Sequence, residues 1–380
     1  MKILVLSYEF PPVGGGGGRV AEEVALALVA RGHEVRVHSA RLAGQPKSET
    51  HDGLTIHRTY GWRRSADRCS VAEMALYIVS SILPATRLAM AWRPDVVHAH
   101  FAIPTGPIAT VIEFLTGIPY VITGHLGDVP GGVSSQTDGW FRWLGALARP
   151  VWSRAADVTG VSGHVCGLIE QAYLRTAHRI PNGIQLEAVD TPPRPAGRPR
   201  RLLFAGRFNP QKNVPFLIEV LAELRTRDWT ADLFGDGADY AAVCAMLRSH
   251  GLENRVILHG WQAPAIVESH MRSADVLLLP SLSEGFPVVA AKAQGYGLAV
   301  LASDIDGVRE LIDNGVNGIL CPVNDRTAFV TALDRLLEDD TWLVTLKAGA
   351  KARAPEFALD RIVDRYEAVL SAASKAGRSP

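Results

Sequence analysis

Arg207 and Lys212 stand five residues apart in Ala205-Gly206-Arg207-Phe208-Asn209-Pro210-Gln211-Lys212-Asn213, after a β-rich run and before a helix opening at Val214. A planar guanidinium and a point-charge ammonium at a strand end, just ahead of a helix N-terminus, make a clamp suited to a pyrophosphate. Lysine is scarce here, 7 against 32 arginines, so a lysine in such a place is less readily surface filler. A second anion-binding feature lies near the start: Glu9-Phe10-Pro11-Pro12-Val13, five glycines from Gly14 to Gly18, then Arg19. Glycines let a backbone approach a ligand closely and free N–H groups at a helix start favour phosphate, although a merely flexible loop has the same composition. The third constellation is Pro280-Ser281-Leu282-Ser283-Glu284-Gly285-Phe286-Pro287, opening a helix through Val288 to Gln294. A carboxylate and exposed N–H groups there suit hydrogen bonds to a polyhydroxylated ligand; a lone Glu284 is also a common helix-start charge.

Gly16, Gly18 and Ala21 match the dinucleotide pattern G-x-G-x-x-G/A, but the second strand ends at His38-Ser39-Ala40 with no acidic residue for a ribose. His125, in Thr123-Gly124-His125-Leu126-Gly127-Asp128, follows a buried-looking strand and admits two readings, substrate contact or packing. His98 and His100 alternate on a strand, which favours packed or hydrogen-bonded rings over metal ligands. Asp304-Ile305-Asp306 has the D-x-D spacing of a metal-diphosphate site, yet chance matches are expected among 39 acidic residues, and the Arg207/Lys212 clamp makes a metal unnecessary. Cys69, Cys166, Cys244 and Cys321 are widely spaced and show no metal-ligand pattern, so they read as buried thiols.

The elements that must position these residues alternate along the chain. Strand runs are expected at Lys2 to Ser7, Val35 to Ser39, Leu54 to His57, Val96 to Ala99, Tyr120 to Thr123 and Val158 to Val161, with helical or loop stretches between most of them. Parallel sheet is the natural outcome. The stretch Gln185 to Arg200 carries four prolines and breaks the pattern. A second alternating series runs through Leu202 to Ala205, Ala231 to Phe234, Val256 to His259, Val276 to Leu279, Ala299 to Ala302 and Gly318 to Cys321. A last helix, Ala358 to Ser374, shows an apolar stripe at Leu359, Ile362, Val363, Tyr366 and Val369. The expected organisation is therefore an N-terminal Rossmann-like domain over 1–185, a linker over 186–200, a C-terminal domain over 201–355, and a helix over 356–380 crossing back to the first domain. Two doubly wound α/β domains of this kind are expected to face a central cleft lined by the carboxyl ends of their strands.

With 380 residues, 47% hydrophobic, the chain can bury a sizeable core. Its 39 basic and 39 acidic residues cancel, which gives no electrostatic reason to bind nucleic acid. The uncharged run Val96 to Ile112 holds His98, His100, Pro104, Gly106 and Pro107 and makes a poor bilayer helix, and MKILVLSYEF lacks the parts of a secretory signal. A soluble, cytoplasmic protein is expected.

Taken together, EFPP with the glycine loop, Asp95-Val96-Val97-His98-Ala99-His100, the His125 segment, Ile180-Pro181-Asn182-Gly183-Ile184, Gly206-Arg207 to Lys212-Asn213, Ser281 to Pro287, and Asp306-Gly307 to Gly318 resemble the retaining GT-B glycosyltransferases of family four, over nearly the whole length. The resemblance implies a sugar transferred from a nucleotide diphosphate donor, a UDP-sugar first and GDP-mannose next, to an acceptor hydroxyl in glycan, glycolipid or glycosylated metabolite synthesis. It implies that His125, Arg207, Lys212 and Glu284 carry catalysis, with Arg207 and Lys212 on the diphosphate and the Gly15 and Gly16 amides at its distal phosphate. Glu284 and the amides of Gly285, Phe286, Pro287 and Val288 would hold the sugar, with His125 near its anomeric side; no cofactor and no metal are implied. No carboxylate is convincingly placed as a nucleophile, so the route expected is same-face attack with the departing phosphate taking the acceptor's proton.

The family signature, Glu, seven residues, Glu, is broken: the second position is Lys292. An ammonium cannot accept hydrogen bonds from ribose hydroxyls as that carboxylate does, which leaves Lys292 a donor's role, to a ribose oxygen or a phosphate, and leaves ribose recognition and nucleotide identity open. Leu126 also stands where the family has a small residue. Alternatives stay open: a sugar-nucleotide binding protein without catalysis, which Lys292 motivates; within the GT-B fold, a nucleotide-sugar epimerase or a phosphorylase-like enzyme; and, on the glycine pattern alone, a nicotinamide dehydrogenase. The stretch Arg58 to Arg93, basic and carrying Met74, Leu76, Tyr77, Ile78, Ile82 and Leu83, fits peripheral contact with the inner face of a membrane for a lipid-linked acceptor; an ordinary amphipathic helix with solvated arginines is the simpler reading.

Overall fold

The computed structural model describes residues 1–65, 69–133, 148–186, 198–226 and 228–377. They divide into two compact units, Met1–Gly183 with Leu359–Pro380, and Ile184–Ala358.

Unit 1 is built from β1 (Lys2–Ser7), α1 (Gly16–Ala30), β2 (Glu34–Arg41), β3 (Ser48–His51), β4 (Leu54–Tyr60), α2 (Val71–Trp92), β5 (Val96–His100), α3 (Ala102–Thr116), β6 (Tyr120–Gly124), β7 (Asp157–Gly160), α4 (Gly163–Tyr173) and β8 (His178–Arg179). Its sheet runs β3-β4-β2-β1-β5-β6-β7-β8, parallel except for the β3/β4 hairpin. The middle strands are buried on both faces, which is why VVHAH and YVITG read as unbroken runs without polar alternation. A turn at Asp52-Gly53 closes the hairpin.

Among the described residues helix α2 is the one apolar and long enough to cross a membrane by length and composition, whereas the 96–112 run is a strand followed by a helix kinked at Ile103. It buries Tyr77, Ser81, Ala85 and Ala89 and packs on α3 and β4, with Val79, Leu83 and Met90 exposed on its other side.

Unit 2 holds β9 (Arg200–Ala205), α5 (Val214–Glu223), β10 (Trp229–Phe234), α6 (Tyr240–Ser249), β11 (Val256–Gly260), α7 (Pro264–Met271), β12 (Val276–Leu279), α8 (Val288–Gly295), β13 (Ala299–Ser303), α9 (Asp306–Arg309), β14 (Ile319–Cys321), α10 (Arg326–Glu338) and α11 (Asp340–Arg353). All six strands are parallel, in the order β11-β10-β9-β12-β13-β14. Strand β9 takes in Arg200, buried and bonded to Asp340, so ordered structure begins inside the stretch expected as linker; residues 187–197 of that stretch lie outside the described residues. The core includes Leu202, Phe204, Phe208, Leu217, Leu233, Leu278, Leu301 and Leu333. A buried ion pair, Lys347 Nζ to Asp275 Oδ1 at 3.0 Å, ties α11 to the entry of β12.

Helix α12 (Leu359–Ala376) belongs to unit 1. It buries Leu359, Ile362, Val363, Tyr366 and Leu370 at helical spacing, packing on α1, β5 and β6. Arg31 reaches Asp364 at 2.7 Å and Glu367 at 3.0 Å, and the Tyr366 ring lies 5.2 Å from that of His98.

Candidate active site

In unit 2, the loop after β9 carries Arg207 and Lys212. It is fixed from the side by Gly235-Asp236-Gly237, which follows β10: Phe208 N–H donates to the Asp236 carbonyl at 2.9 Å and Gly206 N–H to that of Phe234 at 3.0 Å. A side chain at Gly235 or Gly237 would run into the carbonyls of Gly206 or Phe208, so only glycine permits this approach. Lys212 N–H donates to Asn209 Oδ1 at 3.1 Å, and Asn213, left-handed at φ 55°, turns the chain into α5. Two bonds tie this loop to the one after β12: Leu282 N–H to the Gln211 carbonyl at 2.8 Å, and Gln211 Nε2 to the Ser283 carbonyl at 2.9 Å.

These bonds bring Lys212 and Glu284 together. Lys212 Nζ donates to Glu284 Oε1 at 2.5 Å, and Ser281 Oγ donates to the same oxygen at 2.7 Å. The Glu284 side chain is 8% exposed and that of Lys212 18%, so water screens the pair weakly. Among the described residues the half-buried Arg207 guanidinium makes no ion pair or hydrogen bond. Phe286, buried, packs on Phe357 with ring centroids 5.2 Å apart, and Pro287 caps α8; this fixes the backbone of Gly285 and Val288 at the helix start.

Lys292, on α8, reaches toward α7. Its ammonium donates to Glu268 Oε1 on α7 at 2.9 Å, and Tyr296 places its hydroxyl 3.4 Å from Glu268 Oε2. The carboxylate absent from position 292 is thus matched by one on a neighbouring helix. Lys292→Glu alone should set two carboxylates against each other where both native side chains are less than a quarter exposed. We expect a loss on the order of 1 to 2 kcal/mol, a drop of roughly 2 to 8 °C in melting temperature, restored by adding Glu268→Lys. Equal melting of Lys292→Glu and wild type would show that the pair has no energetic weight.

In unit 1, the glycine loop sits against the strand ends of β5 and β6. A Cβ at Gly17 would lie 2.6 Å from the Phe101 ring and 3.7 Å from His125 Nδ1. His125 stacks on Phe101 at 4.3 Å and 27° and lies 5.8 Å from His100. Burial pushes the His125 imidazole down to about 4, so it is neutral near pH 7, and its Nε2 finds no hydrogen-bond partner among the described residues. Asp128, which the sequence reading passed over, orients this corner: its two oxygens accept the N–H groups of His125 and Ala102, both at 2.6 Å. The Gly15 N–H is already taken by Glu9 Oε2 at 3.0 Å, while Gly16 is exposed at the start of α1.

The remaining motifs have local partners. Arg309 pairs with both Asp304, at 2.6 Å, and Asp306, at 2.9 Å. His98 bonds Thr123 Oγ1 at 2.8 Å, and its ring lies 4.2 Å from that of His100.

Residues 14–188 match the family model for glycosyltransferase family 4, and residues 199–339 that for glycosyl transferases group 1. The chain is 28% identical to a glycogen synthase of Mycobacterium tuberculosis over all of this chain and 97% of that protein. It is 27% identical to a D-inositol 3-phosphate glycosyltransferase of Xylanimonas cellulosilytica over 96% of this chain and 94% of that protein. Among solved structures, sucrose-phosphate synthase from Thermosynechococcus elongatus superposes with a TM-score of 0.81 at 19% identity, covering 99% of both chains. The Anabaena protein Alr3699/HepE, solved with UDP and glucose, gives 0.79 at 20% identity, covering 98% of this chain and 100% of that one. Two parallel-sheet α/β units of the GT-B type, and family models that between them take in both, establish that this chain is an enzyme of the group 1, family 4 glycosyltransferases.

Proposed function

We propose that the chain transfers a sugar from a nucleotide diphosphate donor, a UDP-sugar before GDP-mannose, to an acceptor hydroxyl with retention at the anomeric carbon. The observation that carries this reading is the cluster in unit 2: a buried carboxylate that accepts from Lys212 and Ser281 through one oxygen, next to a loop whose Arg207 guanidinium is unpaired among the described residues. Glu284 keeps its second oxygen for a sugar hydroxyl. Arg207 and Lys212 neutralise the charge that develops on the departing diphosphate, which is where the transition state differs most from bound donor. That phosphate then takes the acceptor's proton. The preference for uridine follows the UDP and UDP-glucose held by the Anabaena protein.

Thermal-shift measurements with UDP, GDP, ADP, dTDP and NAD, without and with magnesium, test the donor class. At about 100 times its dissociation constant a selective diphosphate adds about 2.7 kcal/mol, a rise of roughly 5 to 10 °C, and UDP is expected to give it without magnesium. A shift with NAD alone, or with no diphosphate, would remove the reading. Anomeric configuration of the product by NMR tests retention separately.

A further inference from the structure

Asp232 on β10, His259 on β11 and His270 on α7 meet in unit 2, and none belongs to the cluster around Glu284. His259 Nε2 lies 2.6 Å from Asp232 Oδ1 and His270 Nδ1 lies 3.3 Å from Asp232 Oδ2, with the ligand atoms of all three within 4.8 Å of one another. Phe234 holds both imidazoles: it stacks flat on His259 at 4.3 Å and 9°, and meets His270 edge-on at 4.9 Å and 72°. The three side chains are 21%, 22% and 33% exposed for His259, Asp232 and His270, enough for an ion to enter from solvent.

We propose that these residues form a divalent metal site, best suited to zinc, that fastens α7 to the edge of the sheet. Two imidazole nitrogens and one carboxylate oxygen are a zinc donor set, with the fourth tetrahedral position open to water. Ligands about 2.0 to 2.1 Å from a tetrahedral ion are about 3.3 to 3.4 Å from each other; His270 Nδ1 already stands at that distance from Asp232 Oδ2, and the remaining separations, all within 4.8 Å, must close by no more than about 1.5 Å. With neutral imidazoles the site carries one negative charge against the ion's two positive ones. The clip has something to hold: α7 has only eight residues and buries Met271 alone. The same helix carries Glu268, so an occupied site also steadies the carboxylate that meets Lys292.

The test uses untagged full-length protein treated with a chelator. Titration with Co2+, followed by visible absorption, and with Zn2+, followed by calorimetry, should show one ion per chain, a four-coordinate cobalt spectrum and a higher melting temperature. His270→Gln and Asp232→Asn, checked to melt like wild type in chelator, should each weaken binding by more than about 10- to 100-fold, the range lost even when an outer partner of a ligand is removed. Two results would overturn the site: no stoichiometric Co2+ uptake by wild type, or uptake by either variant equal to wild type. The wild-type titration decides even where a variant folds poorly.

Discussion

Lys212→Ala is expected to lower turnover by about 100- to 1000-fold, about 3 to 4 kcal/mol of transition-state stabilisation, the scale of a lost oxyanion donor. The ammonium has two tasks in the proposed reaction. In the ligand-free protein it bonds Glu284 Oε1 at 2.5 Å; with donor bound it must also face the diphosphate. Charge on the leaving phosphate grows along the reaction, so the loss should fall mainly on kcat and much less on KM. Truncation also leaves the buried Glu284 carboxylate with Ser281 Oγ as its remaining side-chain donor among the described residues, which should lower melting temperature. Glu284→Gln separates the two effects, because it removes the orphaned charge without returning the cation. Arg207→Ala should show the kinetic loss with little change in melting, since that guanidinium supports no bond among the described residues. Turnover by Lys212→Ala at the wild-type rate would end the assignment of the leaving-group site.

Acid should destabilise unit 1 well before carboxylates would ordinarily be protonated. Burial holds His38 and His98 at about 3, His125 at about 4 and His100 well below the ordinary range. Their folded values lie below the unfolded one, so the unfolded chain takes up protons first and stability falls as pH drops through about 6.5. Between about pH 7.5 and 5.5 each ring loses about 1.4 kcal/mol, and the four together about 5 kcal/mol. Asp128 acts the other way: burial raises its carboxyl to about 7, so it is protonated more readily in the fold and gains stability as pH falls. That offset is about 2 kcal/mol over the same interval, leaving a net loss of about 3 to 4 kcal/mol and a melting temperature lower by roughly 7 to 15 °C. Melting followed across that range gives the answer, and a flat or rising profile would mean that the buried imidazoles are not neutral as drawn.

Much of the fold was legible because parallel strands buried on both faces write themselves as continuous apolar runs: KILVLS, VVHAH, YVITG and AVLAS are all strands. Strand β3, SETH, was not, since it is an exposed edge whose only local sign is the Asp52-Gly53 turn. The convergence of Lys212 and Glu284 followed from two loops at adjacent strand ends, a relation that α/β topology supplies. The partner of Lys292 did not follow, because Glu268 lies 24 positions away on a helix with no distinguishing pattern. The same holds for Glu9 on the Gly15 amide and for Asp128, whose role is visible only once β5 and β6 are side by side. The Gly235-Asp236-Gly237 support for Arg207 had a signal in its paired glycines, and what they admit is a neighbouring loop's backbone.

Helix α12 gives unit 1 an unusual history during synthesis. Its residues leave the ribosome after all of unit 2, yet they pack on α1, β5 and β6 and against the ring of His98. Unit 2 is one uninterrupted stretch and can close as it is made, while the first 183 residues wait with an apolar face open to water. The usual order, in which the N-terminal domain is finished first, is reversed. A translation stop at about position 359 therefore spoils the unit made first and spares the one made second.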